Sequence, residues 1–366
     1  MGTGIVSILL FTFSETYPDS QALLFQLSVF FFGLNIFLYS VILSATVLRY
    51  VFYPKFFVMM ISDPGQAMYL GTMPMGLATL ITMTVNVIVP RFDTATSTGW
   101  ATTAWAIWWI DVVISLACAL GVPWLVQTRH RGITDLEKMT AGWLLPIVSP
   151  IVASSTGSAV ASVLSPPDAL VTILVSYVIL GTGLCAALTI IVIYYLRITT
   201  WKLPPTEHMF STFLPLGALG QGGFAFQQLG AQAIRVFPVT ETLPAMRAAA
   251  GGVTGGPEAV ADALLVAKIL FTLGFVIAIM LWGFAMLWLF FAVLSVTRQR
   301  VPFSNGWWAS TFPLGVLATS TLAMGRNLPS VAFQTLGTIF GVVVIFMWVV
   351  VSSMLVARVA TGKKWT

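Results

Sequence analysis

Residues 307–324 read WWASTFPLGVLATSTLAM, with the run FPLG at 312–315 inside an apolar segment. Related runs are MPMG at 73–76, LPIV at 145–148 and LPLG at 214–217, each also in an apolar segment. Proline removes a backbone hydrogen bond and displaces the preceding turn, and the carbonyl groups this frees must face protein or a water-filled cavity in a membrane. The runs therefore predict bent helices around a central pathway. The kinks are expected at Pro74, Pro146, Pro215 and Pro313.

The composition is that of a membrane protein with many spans. Hydrophobic residues make up 58% of the 366 positions and charged residues only 8%, well outside the soluble range. With about 20 apolar residues per crossing, we predict an all-α fold of ten transmembrane helices, the first of them short, in a single transporter domain, 1–366. The spans lie near 1–14, 21–50, 67–90, 99–127, 139–163, 168–197, 208–234, 260–296, 305–325 and 328–358.

The basic residues are divided unevenly between the two sets of loops. They form no basic face, so the net charge of +5 does not predict nucleic-acid binding. The side with more of them is expected in the cytosol together with both termini. The glycine-rich loop at about 236–258 is then extracellular and flexible. The cytosolic set is Arg49, Lys55, Arg129, Arg131, Lys138, Arg197, Lys202, Arg298, Arg300, Arg358, Lys363 and Lys364, and the other set is Arg91, Arg235, Arg247, Lys268 and Arg326.

Odd-numbered and even-numbered spans differ in composition. Odd spans three, five, seven and nine carry the Pro/Gly runs and small polar residues, and span one has Gly2 and Gly4 instead, whereas even spans two, six, eight and ten are rich in Phe, Leu, Val and Ile. This alternation predicts an inner ring of odd helices and an outer ring of even ones, built as a helical hairpin repeated five times. The alternative is that Pro and Gly are simply common in membrane helices.

The sequence contains no pattern typical of an enzyme. His130 and His208 both lie in predicted cytosolic loops, and no Walker loop, G-x-S-x-G or H-E-x-x-H motif is present. The serines Ser310, Ser320 and Ser352 have no histidine in their own or neighbouring spans. We therefore predict no catalytic residue, no metal and no cofactor, and an intramembrane enzyme is the weaker alternative.

The odd spans supply glycine, hydroxyl and amide groups instead. Such a lining can offer N–H and O–H donors to a small anion without a buried lysine. In the alternative interpretation, the Ser and Thr side chains bond to their own helix, and Arg326 is an interfacial arginine with its charge in water. The candidate anion-pathway residues are Thr3, Gly71, Thr72, Gly76, Ser149, Ser154, Gly217, Gln221, Thr319, Ser320 and Arg326.

Two further side chains in the predicted spans have a candidate role. Phe312 precedes the bend of the last odd span, where its ring is either a gate or a core aromatic. Asp111 lies inside an even span, where an ionised carboxylate is costly without a partner. We interpret Asp111 as a packing or subunit contact, or as a candidate proton-coupling residue, with Lys268 as a candidate partner.

Six short segments together carry a resemblance to a known family of membrane proteins. They are MGTGIVS at 1–7, LGTMPMG at 70–76, PLG at 215–217, GQGG at 220–223, WW at 307–308 and TFPL at 311–314. With these segments the chain resembles the tellurite-resistance/dicarboxylate transporter family, which includes fungal sulfite efflux pumps, fungal malate permeases and plant slow anion channels. The resemblance covers the whole chain. It implies ten helices with the odd ones around a pore, a homotrimer with one pore per subunit, and a phenylalanine that occludes the pore, which the motif places at Phe312.

The first segment and GQGG are most similar to the fungal sulfite pumps. This similarity implies export of sulfite or bisulfite across the plasma membrane, with sulfite tolerance as the result. A C4 dicarboxylate such as malate would require two cationic or multi-donor anchors, and only Arg326 lies near the odd spans. A malate transporter or an anion channel of the same family is the alternative, and both channel-like transport and coupling to protons remain open.

Overall fold

The computed structural model describes residues 1–128, 136–242, 257–299 and 301–361, and their regular structure is helical. This confirms the all-α class. The α-helices are α1 (Gly2–Thr16), α2 (Gln21–Phe52), α3 (Pro54–Ser62), α4 (Pro64–Ala67), α5 (Thr72–Met83), α6 (Thr94–Thr128), α7 (Leu144–Ala161), α8 (Pro166–Trp201), α9 (Leu214–Thr240), α10 (Pro257–Arg298), α11 (Trp308–Asn327) and α12 (Val331–Thr361).

Each of the ten predicted spans coincides with a helix among the described residues. Seven helical segments there are long and apolar enough to cross a membrane. The remaining three predicted spans are α1, which is short, and α9 and α11, which are rich in glycine, amides and hydroxyls. Helices that face protein or water need less hydropathy than helices that face lipid. The chain is thus a polytopic membrane protein, and the number of ten crossings stays a prediction.

Helices α1, α5, α7, α9 and α11, which correspond to the odd-numbered predicted spans, form the inner ring. Helix α1 contacts α5, α5 contacts α7, α7 contacts α9, α9 contacts α11, and α11 contacts α1. Each even-numbered helix from α6 onward packs against the odd helix before it, and α2 packs against α1. The share of buried residues within the most apolar 18-residue stretch differs between the helical segments. This share is 94% in the segment that contains α7 but only 17% in those of α2, α10 and α12. The alternating composition therefore reflects two rings, since the inner helices have protein on all sides.

Three of the four prolines in the repeated Pro/Gly runs stand at helix starts. Pro74 and Pro146 occupy the third position of α5 and α7, and Pro215 the second position of α9. Each of these helices follows a 3-10 helix directly, and the first turn of a helix leaves N–H groups unpaired in any case. These prolines thus mark a junction between 3-10 and α structure. They differ from Pro313, which lies inside α11.

Other irregularities were not predicted from the sequence. Pro150 lies inside α7, and α5 continues into a π-helical turn, Thr84–Ile88. A π turn inserts one extra residue per turn and is frequent at functional sites. It places Asn86 in the wall of the central cavity described below.

The two ends of the helical bundle can be distinguished by contacts. The Nε1–H of Trp348 in α12 donates to Thr3 Oγ1 near the start of α1, and Arg358 lies over the ring of Phe303, which precedes α11. Helix α1 therefore begins at the end of the bundle where α12 finishes. The predicted glycine-rich loop is shorter than 236–258, because α9 runs to Thr240 and α10 begins at Pro257. Outside the described residues lie 243–256, and with them His130, Arg129, Arg131, Arg247, Arg300, Lys363 and Lys364.

Candidate anion pathway

A cavity of about 450 Å³ lies inside the inner ring, and all five helices of the ring contribute to its wall. On α11 its lining runs from Phe312 to Arg326 and Asn327, and on α1 from Ile5 to Glu15. At about 1.5 Å per residue, the α11 lining alone extends over roughly 21 Å. The cavity is therefore long relative to a small anion and follows the axis of the ring.

The end of the cavity at Phe312 is apolar. The Phe312 side chain is 4% exposed, and Ile5, Ala78, Val152 and Val316 complete this part of the wall. No lining residue among those described precedes Phe312 in α11. The Phe312 ring thus lies where the cavity ends inside the bundle.

The middle of the cavity is lined by polar side chains in pairs between neighbouring helices. The Nε2 of Gln221 in α9 donates to Ser155 Oγ in α7, and Thr82 Oγ1 of α5 lies 3.4 Å from Thr156 Oγ1 of α7. These pairs join three of the five helices at one depth. They make this section of the wall neutral and polar.

The opposite end of the cavity carries the charges. Arg326 Nη1 donates to Glu15 Oε2 at 3.0 Å, and both side chains are partly exposed and line the cavity. Nearby, Arg235 donates to the Oε1 of Gln232 at 3.1 Å and also to the carbonyl oxygen of Ala161 at the end of α7. The mouth of the cavity is therefore polar, and its arginine is paired with a carboxylate.

Of the predicted pathway residues, Gln221, Thr319 and Arg326 line the cavity. The three predicted glycines lie at helix contacts instead. A Cβ at Gly71 would overlap the backbone of Leu145 and Pro146, a Cβ at Gly76 would lie 2.9 Å from the Tyr39 ring, and a Cβ at Gly217 would lie 3.7 Å from Pro313. These glycines allow close approach of neighbouring helices, which accounts for their frequency in the odd spans.

The predicted hydroxyls outside the cavity make other contacts. Thr3 accepts from Trp348, Thr72 donates to the carbonyl oxygen of Tyr69 at 2.7 Å, and Ser149 donates to that of Pro146 at 2.7 Å. Ser320 lies 3.4 Å from Gln227 Nε2, and the buried Ser154 hydroxyl has no hydrogen-bond partner among the described residues. Sequence composition could not separate these positions from the lining, because both occur on the same helices.

Helical periodicity would have identified much of the lining that the sequence analysis missed. On α11 the lining positions follow Phe312 at intervals of three or four residues, which is one face of a helix. On α9 the lining residues Gln221, Phe224, Gln228 and Gln232 are likewise three or four residues apart. Thr82 in α5 and Asn86 in the π-helical turn that follows it are four residues apart.

Asp111 lies behind the inner ring, on α6. Its side chain is fully buried and does not line the cavity. Neither carboxylate oxygen has a hydrogen-bond partner in the part of the chain that the structure describes, so Lys268 does not serve as its partner there. An unpaired acidic group in a membrane-spanning helix is costly and often marks a functional site.

Comparison with known proteins gives a family and several relatives. A family model described as "SLAC1: Voltage-dependent anion channel" matches residues 1–356. The chain is 40% identical to proteins named sulfite efflux pump SSU1 from Arthroderma otae and Trichophyton rubrum, over 99% of this chain and 89% of each relative. It is also 22% identical to the malic acid transport protein of Schizosaccharomyces pombe, over 88% of this chain and 69% of that protein.

Proposed function

The chain belongs to the SLAC1 family of voltage-dependent anion channels, and from this premise we propose that it exports sulfite or bisulfite across the plasma membrane. The observation that carries the choice of substrate is the 40% identity to sulfite efflux pumps over 99% of this chain. Export of this kind confers sulfite tolerance. An inside-negative membrane potential makes the exit of an anion more favourable by about 2.3 kcal/mol per charge per 100 mV. Efflux therefore does not require coupling to a second ion.

The route in this proposal is the cavity within the inner ring. It is lined by helices whose outer partners shield it from lipid, and its middle section is polar and neutral. A neutral polar lining lets an anion exchange part of its hydration for protein contacts without being held tightly. A cavity that is shielded by outer helices and has a neutral polar lining suits the passage of an anion better than its storage or its chemical conversion.

Phe312 is the proposed gate. Its ring ends the cavity, and on the same helix Pro313 follows it directly. The proline removes one backbone hydrogen bond, so the helix next to the ring is easier to bend than a regular one. Small bending at Pro313 would move the Phe312 ring out of the path.

Sulfite is favoured over malate by the charge of the cavity wall. Arg326 is the cationic side chain among the lining residues, and Glu15 already pairs with it. A C4 dicarboxylate has two separated charges and gains little where the cation found among the described lining residues is already paired. The malic acid transport protein among the relatives keeps malate as the second candidate substrate.

The proposed topology places the start of α1 and the finish of α12 in the cytosol, which puts the Arg326 end of the cavity outside. Arg49, Arg197 and Arg358 then lie on the cytosolic side, as the positive-inside rule requires. The apolar, exposed faces of the even helices contact lipid and, in the proposed homotrimer, neighbouring subunits.

The test of the proposed function is a flux measurement on purified protein in liposomes. Sulfite, malate, nitrate and chloride are compared with and without a proton gradient. Sulfite flux that exceeds malate flux and is lost in protein-free vesicles is the expected result. Saturable malate transport without sulfite flux would replace sulfite by malate as the substrate.

A further inference from the structure

We propose that the outer half of the cavity contains an anion-binding subsite formed by the side-chain amides of Asn86, Gln228 and Gln232, and that the cavity hydroxyls do not bind the anion. The inference rests on the proposed function as an anion transporter and identifies its binding groups. It follows from which hydrogen-bond donors of the lining are already in use.

Seven of the eight hydroxyl groups among the described lining residues donate to a carbonyl oxygen, and the eighth, that of Thr156, lies 3.4 Å from Thr82 Oγ1. Thr12 donates to the carbonyl oxygen of Ile8 at 2.9 Å, Ser158 to that of Ser155 at 2.6 Å, and Thr319 to that of Val316 at 3.0 Å. A hydroxyl has one hydrogen, so each of these groups turns its oxygen lone pairs toward the cavity. Such oxygens repel an anion or accept a hydrogen bond from water. Thr79, Thr82, Ser155 and Ser162 also donate to a carbonyl oxygen three or four residues earlier in the chain, and the oxygens of Thr79 and Ser155 additionally accept from Asn35 and Gln221.

The amide groups present the opposite situation. Neither Asn86 nor Gln228 has a hydrogen-bond partner among the described residues, although both line the cavity and are partly buried. The oxygen of Gln232 accepts from Arg235 at 3.1 Å. Its NH₂ group has no acceptor in the described part of the chain. Each of these three amides therefore has N–H donors available to a ligand.

Position along the helices places the three amides in one part of the cavity. Gln228 and Gln232 are four residues apart on α9 and thus share a face. Asn86 is four residues beyond Thr82 on α5, in the π-helical turn. Gln228 lies seven residues, about 10 Å, beyond the Gln221–Ser155 pair toward the mouth. Gln228 therefore lies between the polar middle section and the Glu15–Arg326 pair, and Gln232 lies one helical turn further toward the mouth.

Amide donors fit the chemistry of a transported oxyanion. They bind the oxygens of a small oxyanion through hydrogen bonds, and neutral donors hold an anion less tightly than a cation in direct contact would, which permits release. Bridging hydroxyl oxygens can at the same time hold waters that hydrate the rest of the anion. The subsite thereby selects small oxyanions over dicarboxylates by donor number rather than by charge.

The test uses near-isosteric variants without donors. Asn86→Leu, Gln228→Met and the double variant are compared in proteoliposomes with Thr12→Val and Thr319→Val, which remove cavity hydroxyls. The half-saturating sulfite concentration is expected to rise about tenfold in the double variant and to change by less than about twofold in the hydroxyl variants. Gln228→Asn, which keeps the NH₂ group, should retain most of the affinity.

An unchanged half-saturating concentration in a double variant that melts like the wild type would overturn the subsite, as would equal effects of the hydroxyl variants. If the wild type carries nitrate or chloride but no sulfite, the proposed substrate fails, and the same comparison is made with the transported anion. If the wild type carries none of these anions, the subsite is tested by whether sulfite shifts the melting temperature of the protein in detergent. A shift lost in the double variant supports the subsite, and a shift that persists, or that the wild type lacks, contradicts it.

Discussion

Arg326 at the end of α11 donates to Glu15 at the end of α1 across 3.0 Å, and both side chains line the cavity at its mouth. The pair joins the first and the last helices of the inner ring. Because a carboxylate neutralises this arginine, Arg326 presents little net positive charge to an approaching anion. The pairing, rather than the mere presence of Arg326, determines what this residue contributes to the electrostatics of the entrance.

Glu15→Gln should free the arginine charge and strengthen anion capture at the mouth. Since exposed ion pairs are weak, the expected decrease in the half-saturating sulfite concentration, measured from the Arg326 side, is only about two- to fivefold at low salt. The gain should shrink as ionic strength rises. Asp19→Asn, at an exposed acidic position nearby that does not line the cavity, is the control and should have no such effect. A salt-independent gain would exclude this electrostatic explanation.

Phe312→Ala should raise anion flux, because it removes the ring at which the cavity ends. We expect an increase of at least about tenfold in sulfite or chloride efflux from proteoliposomes, with loss of selectivity between them. Phe312→Leu should give a smaller increase. Leu314→Ala, a buried change on the same helix outside the cavity, controls for general loosening of α11. Equal flux in the Phe312→Ala and wild-type proteins would assign the ring to packing alone.

Gly71→Ala should destabilise the protein, because its Cβ would overlap the backbone of Leu145 and Pro146, which cannot move aside like a side chain. Overpacking of this kind costs about 1–3 kcal/mol, visible as a lower melting temperature in detergent. Gly181→Ala is the matched control, since no atom lies within 4 Å of its added Cβ. That change should be neutral or stabilising by up to about 1 kcal/mol, as alanine is the better helix former. Equal melting temperatures for the two variants would contradict the close contact.

Asp111→Asn distinguishes proton coupling from packing. If Asp111 carries a coupled proton, the variant should lose the stimulation of sulfite flux by a proton gradient while flux driven by membrane potential continues. If Asp111 is a packing residue, both fluxes should change together with stability. The melting temperature of the same preparation separates the two results. A gradient-stimulated flux that persists at the wild-type level rules out the coupling role.

The proline runs show how far a local pattern can be interpreted. Their recurrence in alternate spans correctly indicated which helices form the inner ring, because only helices surrounded by protein tolerate so many glycines and small polar groups. The runs did not predict the positions of the kinks. Pro74, Pro146 and Pro215 occupy the first turns of their helices, where a missing N–H breaks no helical hydrogen bond. Helix boundaries depend on where 3-10 turns precede them, and composition does not reveal this.

The lining shows a similar limit. Thr319 and Ser320 are adjacent and chemically alike, yet Thr319 lines the cavity and Ser320 contacts Gln227. Successive residues of a helix point about 100° apart, so the rotation of each helix in the ring decides which of the two reaches the axis. That rotation is set by contacts such as the approach of Leu317 to Gly220, between residues nearly 100 positions apart.

The sequence by itself determined the membrane class, the all-α fold and the division into inner and outer helices, because hydropathy and alternating composition follow from the medium that each helix faces. Only the tertiary structure decided which polar groups face the cavity and which of them still have hydrogen atoms to donate. Those properties depend on helix rotation and on hydrogen bonds to individual carbonyl groups. A one-dimensional pattern contains neither.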